Sequence, residues 1–271
     1  VLILLDKSGS MSARMTSGNS LNYPQAMTFD TSGNLYVAER NAIKKFNYAT
    51  GDLDTSWGNG GTYQNYNWTQ CYTSSVYDLK VHNGFLYGGS YRHVWRINLT
   101  TGACDTMSRR ISAFYPRSLN IKNNHLYFGD IYGFHIYNIS GTPIRTYTTS
   151  DRLLKDSYAV TIDASGNNMY YQSRNNIYRR SMNGPSSIKS SATRLNGIGN
   201  ASNITRYDWT AYGLEAHPTD NNVLYYVSYS RHSVAKFTLN SSKTSYSLSV
   251  SKGQCCTGTS NASRQYIYYG R

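Results

Sequence analysis

Residues 22–47 read NYPQAMTFDTSGNLYVAERNAIKKFN. Apolar and polar side chains alternate in PQAMTFD (24–30), LYVAE (35–39) and AIKKFN (42–47), and the intervening turns carry Gly and Asn. A period of two broken by turn residues is the pattern of antiparallel strands joined by tight hairpins. Beyond YATG, the segment DLDTSWG (52–58) supplies a fourth strand. A single four-stranded sheet has two faces to cover, so the unit has to recur.

It does recur. Each unit carries a hydrophobic-Tyr pair on its second strand: Leu35-Tyr36, Leu86-Tyr87, Leu126-Tyr127, Met169-Tyr170, Leu224-Tyr225 and Ile267-Tyr268. Spacings of 40 to 55 residues match a four-stranded propeller blade with variable loops. The step from this Tyr to the end of the third strand is ten residues in the first four units and twelve in the fifth. The expected architecture is all-β: a single propeller, residues 1–271, of six four-stranded blades. The blades fall at about 24–58, 75–109, 115–147, 157–189, 211–249, and 254–271 joined to 1–15. The last is split between the chain ends, with Val1 to Leu5 pairing with Gln265 to Tyr269 and so removing exposed strand edges.

Composition agrees. Aromatics are 14% of the chain with 27 tyrosines, charged residues only 15%, and Gly and Pro number 22 and 5. That excludes helical bundles and coiled coils, which need more Ala, Glu, Lys and Leu, and excludes disorder. The net charge of +13 favours anionic partners, but the cations are scattered apart from Arg109-Arg110 and Arg179-Arg180, so no nucleic-acid arm is expected. The longest aliphatic run, Val1 to Leu5, is too short for a signal-peptide core or a membrane span.

Residues 22–47 resemble the repeat of the NHL-type six-bladed propellers, whose core is a proline, an apolar strand and D-x-x-G-N-hydrophobic-Tyr-V-A-(D/E). Fold-level resemblance extends over most of the chain, and it implies a fold rather than an activity. Related amidating lyases hold zinc with histidines at the inner-strand mouth. The corresponding positions here, Gln25, Tyr77, Arg117, Tyr158 and Tyr212, cannot form a three-histidine site. Gluconolactonase-like propellers hold calcium near the pore, where this chain offers only Asp78 and Glu215.

The remaining motifs read as structure. Asp6, Ser8 and Ser10 match the DxSxS loop of von Willebrand A domains, but no helix follows, and LLDKSGSM aligns with the third-strand turns of the other blades. Asp30 to Asn34 and Asp163 to Asn167 resemble calcium loops without the later ligands, and read as hairpin turns. His82, His93, His125, His135, His217 and His232 are dispersed. No metal, cofactor or catalytic constellation is expected, and the chain is not expected to be an enzyme.

Seven Asn-X-Ser/Thr sequons, at Asn67, Asn98, Asn138, Asn200, Asn203, Asn240 and Asn261, are close to the number chance predicts, but several fall on expected surface turns. With Cys71, Cys104, Cys255 and Cys256 in no metal-ligand spacing, disulfides are expected in one of three pairings, a vicinal Cys255-Cys256 link among them. These features predict a secreted glycoprotein. The expected role is a structural or interaction subunit of an extracellular coat or filament, whose partners are copies of itself or other matrix components. Alternatives are a glycan-binding module, using the mouth residues on an anionic or neutral polysaccharide, and a propeller lyase or lactonase.

Overall fold

The computed structural model describes residues 2–5, 21–67, 70–105, 115–130, 133–148, 159–173, 176–182, 192–197, 213–228, 233–252 and 266–269. Among these there is no helix. Strand β1 (Leu2–Leu5) opens the chain. The first sheet has the order β2 (Ala26–Phe29), β3 (Leu35–Ala38), β4 (Ile43–Phe46) and β5 (Thr62–Tyr63). The second contains β6 (Asp78–His82), β7 (Phe85–Ser90) and β8 (His93–Asn98). The third contains β9 (Ser118–Lys122), β10 (His125–Asp130), β11 (Gly133–Asn138) and β12 (Pro143–Thr148). The fourth contains β13 (Ala159–Ile162), β14 (Asn168–Ser173), β15 (Asn176–Ser181) and β16 (Ala192–Arg194). In the fifth, β18 (Gly213–Ala216), β19 (Val223–Ser228), β20 (Ser233–Leu239) and β21 (Ser245–Lys252) are antiparallel, and β17 (Asn196–Gly197) adds in parallel to β21. The chain ends meet as β1 pairs antiparallel with β22 (Tyr266–Tyr269), Leu2 opposite Tyr269 and Leu5 opposite Tyr266.

The first strands of the five sheets lie side by side in succession, β2 against β6, β6 against β9, β9 against β13 and β13 against β18. This is a propeller-type arrangement of five sheets of three to five strands plus the two-stranded β1–β22 pair, where the sequence predicts six four-stranded blades. Three details differ from expectation. The fourth strand of the first sheet is Thr62–Tyr63; of 52–58, Leu53 pairs as an isolated antiparallel bridge to Phe46 before Trp57 leaves the strand path to pack edge-on against Tyr36 at 5.4 Å. Among the described residues the second sheet has a single bridge, Ile97 to Cys104, in place of a fourth strand, and 106–109 lie outside them. In the fourth sheet the outer strand is Ala192–Arg194, beyond 185–190, which lie outside the described residues.

The recurrent pair explains itself in the packing. Adjacent residues of a strand point to opposite faces, so one member of each pair faces the preceding sheet and the Tyr the following one. Leu86 joins the core between the first and second sheets, Leu126 that between second and third, Met169 the next and Leu224 the last. Tyr36, Tyr87, Tyr127 and Tyr170 fill the four interfaces ahead of their own sheets and are 4% exposed or less. The tyrosine ring fills this place while its hydroxyl reaches polar groups at the edge: that of Tyr36 donates to Asp30 and that of Tyr87 accepts from Arg96. The residues opposite Tyr36, Tyr87, Tyr170 and Tyr225 are Lys45, Arg96, Arg179 and Lys236. Burial, with Asp30 nearby, pushes the Tyr36 phenol far above its ordinary value, so the ring stays neutral. On the other face of the first sheet, Met27, Val37 and Phe46 are buried as well, with Leu35 packed against them.

Hydrogen bonds tie successive inner strands. Asp78 Oδ2 accepts from the Leu119 N–H at 2.7 Å, Ser118 Oγ from the Val160 N–H at 3.2 Å, and Thr161 Oγ1 from the Ala216 N–H at 2.9 Å. Each supplies a side-chain acceptor to an N–H at a sheet edge, where strand pairing ends. Across the axis, Lys80 on β6 meets Glu215 on β18 at 3.6 Å, joining sheets separated by two others.

Antiparallel connectivity places the first hairpin and the third-strand turn of every sheet at one end of the molecule, and the remaining connections at the other. The hairpin aspartates are engaged by their own turns, and Asp163 by the next sheet as well. Asp30 accepts from the Ser32 and Asn34 N–H groups, Asn34 Nδ2 and the Tyr36 hydroxyl. Asp163 accepts from Asn167, Asn168, Ser165 and, across to the next sheet, Lys243 at 3.0 Å. Burial alone would raise the Asp163 carboxyl, but the bonds from Asn168, Ser165 and Lys243 outweigh it and hold the group below the ordinary aspartate value. A depressed folded-state value gives stabilisation that is present above the unfolded aspartate value and lost as pH falls through the folded one. Asp163→Asn is therefore expected to cost on the order of 2–3 kcal/mol at neutral pH, and the penalty shrinks in melts run in progressively more acid buffer. An equal penalty at all pH values would refute the charge assignment.

Candidate functional site

Gln25, Tyr77 and Arg117 occupy one register position, immediately ahead of β2, β6 and β9. Their N–H groups donate to Ala38, Gly89 and Gly129 carbonyls at 2.7, 2.7 and 3.3 Å. Tyr158 and Tyr212, expected to complete the ring, lie outside the described residues. Of the three in view, Tyr77 and Arg117 come together, the guanidinium 5.6 Å from the ring centroid. The Gln25 Oε1 atom is buried without a partner among the described residues.

Two residues before this position the backbone turns left-handed in all three sheets, at Tyr23 (φ 53°), Ser75 (φ 57°) and Tyr115 (φ 56°). The reason is a repeated bond to the preceding sheet: Ser75 N–H donates to Arg40 O, and Tyr115 N–H to Tyr91 O. Tyr115 and its loop partner Tyr91 thereby stand edge to face at 4.9 Å, with Tyr77 6.1 Å from Tyr115. Arg92 lies 5.3 Å from the Tyr91 ring, and Arg117 also lies 5.9 Å from Tyr115. The sequence pattern points to Tyr77 and Arg117 but misses Tyr91, Arg92 and Tyr115; the available signal was the tyrosine preceding proline at both 23 and 115.

The acidic residues of the second-strand ends are held within their own sheets by a repeated latch. Glu39 meets Lys44 at 3.2 Å and Asp130 meets His135 at 3.2 Å, while Ser90 takes the equivalent place and accepts from Trp95 Nε1 at 3.1 Å. Asp78 Oδ1 and Oδ2 accept the Leu79 and Leu119 N–H groups, and Glu215 faces Lys80. Burial and the neighbouring Asp78 charge push the Glu215 carboxyl up against the opposing pull of Lys80. Among the described residues no three His, Cys, Asp or Glu side chains converge. The histidines are apart: His82 bonds Asn124, His125 lies by Tyr127, His217 caps the 217–220 turn, and His232 is outside the described residues.

At the opposite end, Asn98, Asn138 and Asn240 share one position at the head of the third-strand turn. Each Oδ1 accepts turn N–H groups: Thr100 and Thr101 for Asn98, Ser140 and Thr142 for Asn138, Thr244 and Ser245 for Asn240. Asn47 does the same in the first sheet without being a sequon. The Nδ2 atoms differ. That of Asn240 donates to Ser242 and Thr244, whereas those of Asn98 and Asn138 have no hydrogen-bond partner among the described residues. Asn67 is exposed in the connection to the second sheet, and Asn200, Asn203 and Asn261 lie outside the described residues. Of the cysteines, Cys71 and Cys104 form a disulfide; Cys255 and Cys256 lie outside the described residues, as do Asp6, Ser8 and Ser10. No helix among the described residues is long and apolar enough to cross a membrane.

No protein-family model and no curated protein matches the sequence. Solved structures do match the fold. A chain of the nidogen/laminin complex superposes with a TM-score of 0.60 at 12% identity, covering 86% of this chain and 87% of that one. The extracellular domain of a hybrid two-component system from B. thetaiotaomicron gives 0.59 at 12% identity, over 85% of this chain and 28% of that one. The computationally designed Ika8 protein gives 0.51 at 14% identity, over 82% and 60%. At these identities the likeness establishes a propeller-type fold alone. The Cys71–Cys104 disulfide fits an oxidising compartment.

Proposed function

We propose that the protein is a secreted, N-glycosylated β-propeller that acts without catalysis as a structural or interaction subunit of an extracellular coat or filament. The observation that carries this reading is the division of labour between its two ends. One end presents Asn98 and Asn138, whose amide nitrogens have no hydrogen-bond partner among the described residues; the other presents tyrosine and arginine. A neighbour of the same fold is found in the complex of nidogen with laminin, which supports a role in protein association. On this reading the β1–β22 pair belongs to a sixth blade. Its support is the first sheet, whose face bearing Met27, Val37 and Phe46 is buried, with Leu35 packed against those three.

Natively secreted protein, imaged as recovered and digested for intact glycopeptide mass spectrometry, tests the proposal. Glycans on Asn98 and Asn138, with lower occupancy at Asn240, and ordered multimers in the images are the expected results. Bare asparagines in a monodisperse monomer would overturn it.

A further inference from the structure

The end of the molecule away from Asn98, Asn138 and Asn240 carries a stripe built by the second and third sheets. Tyr91 and Arg92 form the connection between β7 and β8, and Tyr115 leads through Pro116 and Arg117 into β9. Phenol rings and guanidinium groups alternate along it: Arg92 beside Tyr91, Tyr91 against Tyr115, Arg117 over both Tyr115 and Tyr77. A cavity of about 280 Å³ opens beside Tyr91 and Arg92, with Tyr72 and His93 on its other walls.

The left-handed turn belongs to the fold, since Tyr23 and Ser75 share it, but the clustered rings and cations around it are particular to the second and third sheets. A non-glycine residue in the left-handed region costs on the order of 1–3 kcal/mol, and at Tyr115 the strain sets a ring against Tyr91, which itself stays 39% exposed. The Tyr115 hydroxyl and the Arg92 guanidinium both donate toward the Tyr91 phenol and hold it below the ordinary tyrosine range. The stripe thus presents donors and positive charge. Glu39 and Asp130, the acidic residues at the equivalent strand ends, are already paired with Lys44 and His135. The chain as a whole carries +13.

Two chemistries are offered together. Ring faces take the apolar face of a pyranose, and guanidinium forks take a carboxylate or sulfate through paired N–H donors. A neutral sugar would leave the arginines unused, and a small anion would leave the rings unused. We propose that this stripe is a binding site for an acidic polysaccharide, with sugar rings stacked on Tyr91 and Tyr115 and anionic groups held by Arg92 and Arg117. The proposal deepens the reading of the protein as an extracellular interaction subunit and rests on it for access to such polymers.

The test is binding of the intact chain to immobilised heparin, polygalacturonate and dextran over a salt series. Heparin and polygalacturonate separate sulfate from carboxylate as the anionic group; dextran controls for stacking alone. At least one polyanion is expected to bind, more weakly as salt rises, with dextran inert. Tyr91→Ala combined with Arg92→Gln is expected to weaken binding roughly tenfold or more. Arg92→Gln alone, which keeps both rings, retains the parent melting temperature and weakens binding roughly threefold or more. Lys236→Gln, an exposed cation outside the stripe, leaves binding within about twofold. Failure of both polyanions to bind, equal binding to dextran, or unchanged affinity in the Arg92→Gln chain would overturn the site. Those outcomes leave untouched the glycopeptide map and the native images, on which the broader reading stands or falls separately.

Discussion

Trp95→Ala is expected to lower unfolding free energy by about 4–5 kcal/mol and the melting temperature by roughly 10 °C. The indole is fully buried between the first and second sheets, opposite Gly88 on the neighbouring strand. Gly88 lacks a side chain for a concrete reason: a Cβ there would stand 2.1 Å from the ring atom Cη2 of Trp95. The indole N–H donates to the Tyr72 carbonyl and to Ser90 Oγ, both at 3.1 Å. Truncation therefore leaves a ring-sized cavity that glycine cannot refill, and removes the donor from a buried hydroxyl. Gly88→Val approaches the same site from the other side and should destabilise by more than 2 kcal/mol through overpacking. Denaturant melts of the two single variants measure both losses; a Trp95→Ala change below about 1 kcal/mol would mean that the two sheets do not share this core.

Replacing both Cys71 and Cys104 by alanine is expected to cost about 3–4 kcal/mol, the chain-entropy value for a cross-link between residues 33 apart in sequence. The bond does more than close a loop. Cys71 is completely buried in the connection leading into the second sheet, and Cys104 forms the single bridge at that sheet's outer edge. It thus ties down the outer edge of the second sheet, where the described residues show one bridge and no fourth strand. The melting temperature of the double variant should match that of the parent protein in reductant, and be roughly 10 °C below that of the oxidised parent. A parent melting temperature indifferent to reductant would contradict this assignment.

The inner three strands of each sheet were legible because their residues answer to a local rule. Leu126 and Tyr127 must face opposite ways, and only a layer of sheets on both sides buries both. The outer strands obey no such rule. Residues 52–58 alternate well enough to suggest a strand, but Trp57 finds a better place against Tyr36, and Gly58, Gly60 and Gly61, all at positive φ, bring the chain back to pair at Thr62. The cysteine pairing was open for a similar reason, since nothing near Cys71 or Cys104 in sequence records that they meet. At the mouth, Tyr77 and Arg117 follow from the repeat register. Tyr91 and Arg92 belong to a loop, and their relation to Tyr115 depends on a left-handed backbone angle that no side-chain pattern announces.

The pairing of Leu2 with Tyr269 also sets a timetable. Each of the five larger sheets is built mainly from neighbouring hairpins and can form soon after its residues leave the ribosome. Strand β1 is synthesised first and finds its partner last, after roughly 15–50 s at ordinary elongation rates. Throughout that interval four consecutive apolar residues, Leu2 to Leu5, wait as an unpaired edge. A nascent chain in this state is open to any strand that can meet it, including the newly made end of a neighbouring chain on the same message. Closure within one chain, as the β1–β22 register shows it, ends that exposure only once β22 has emerged.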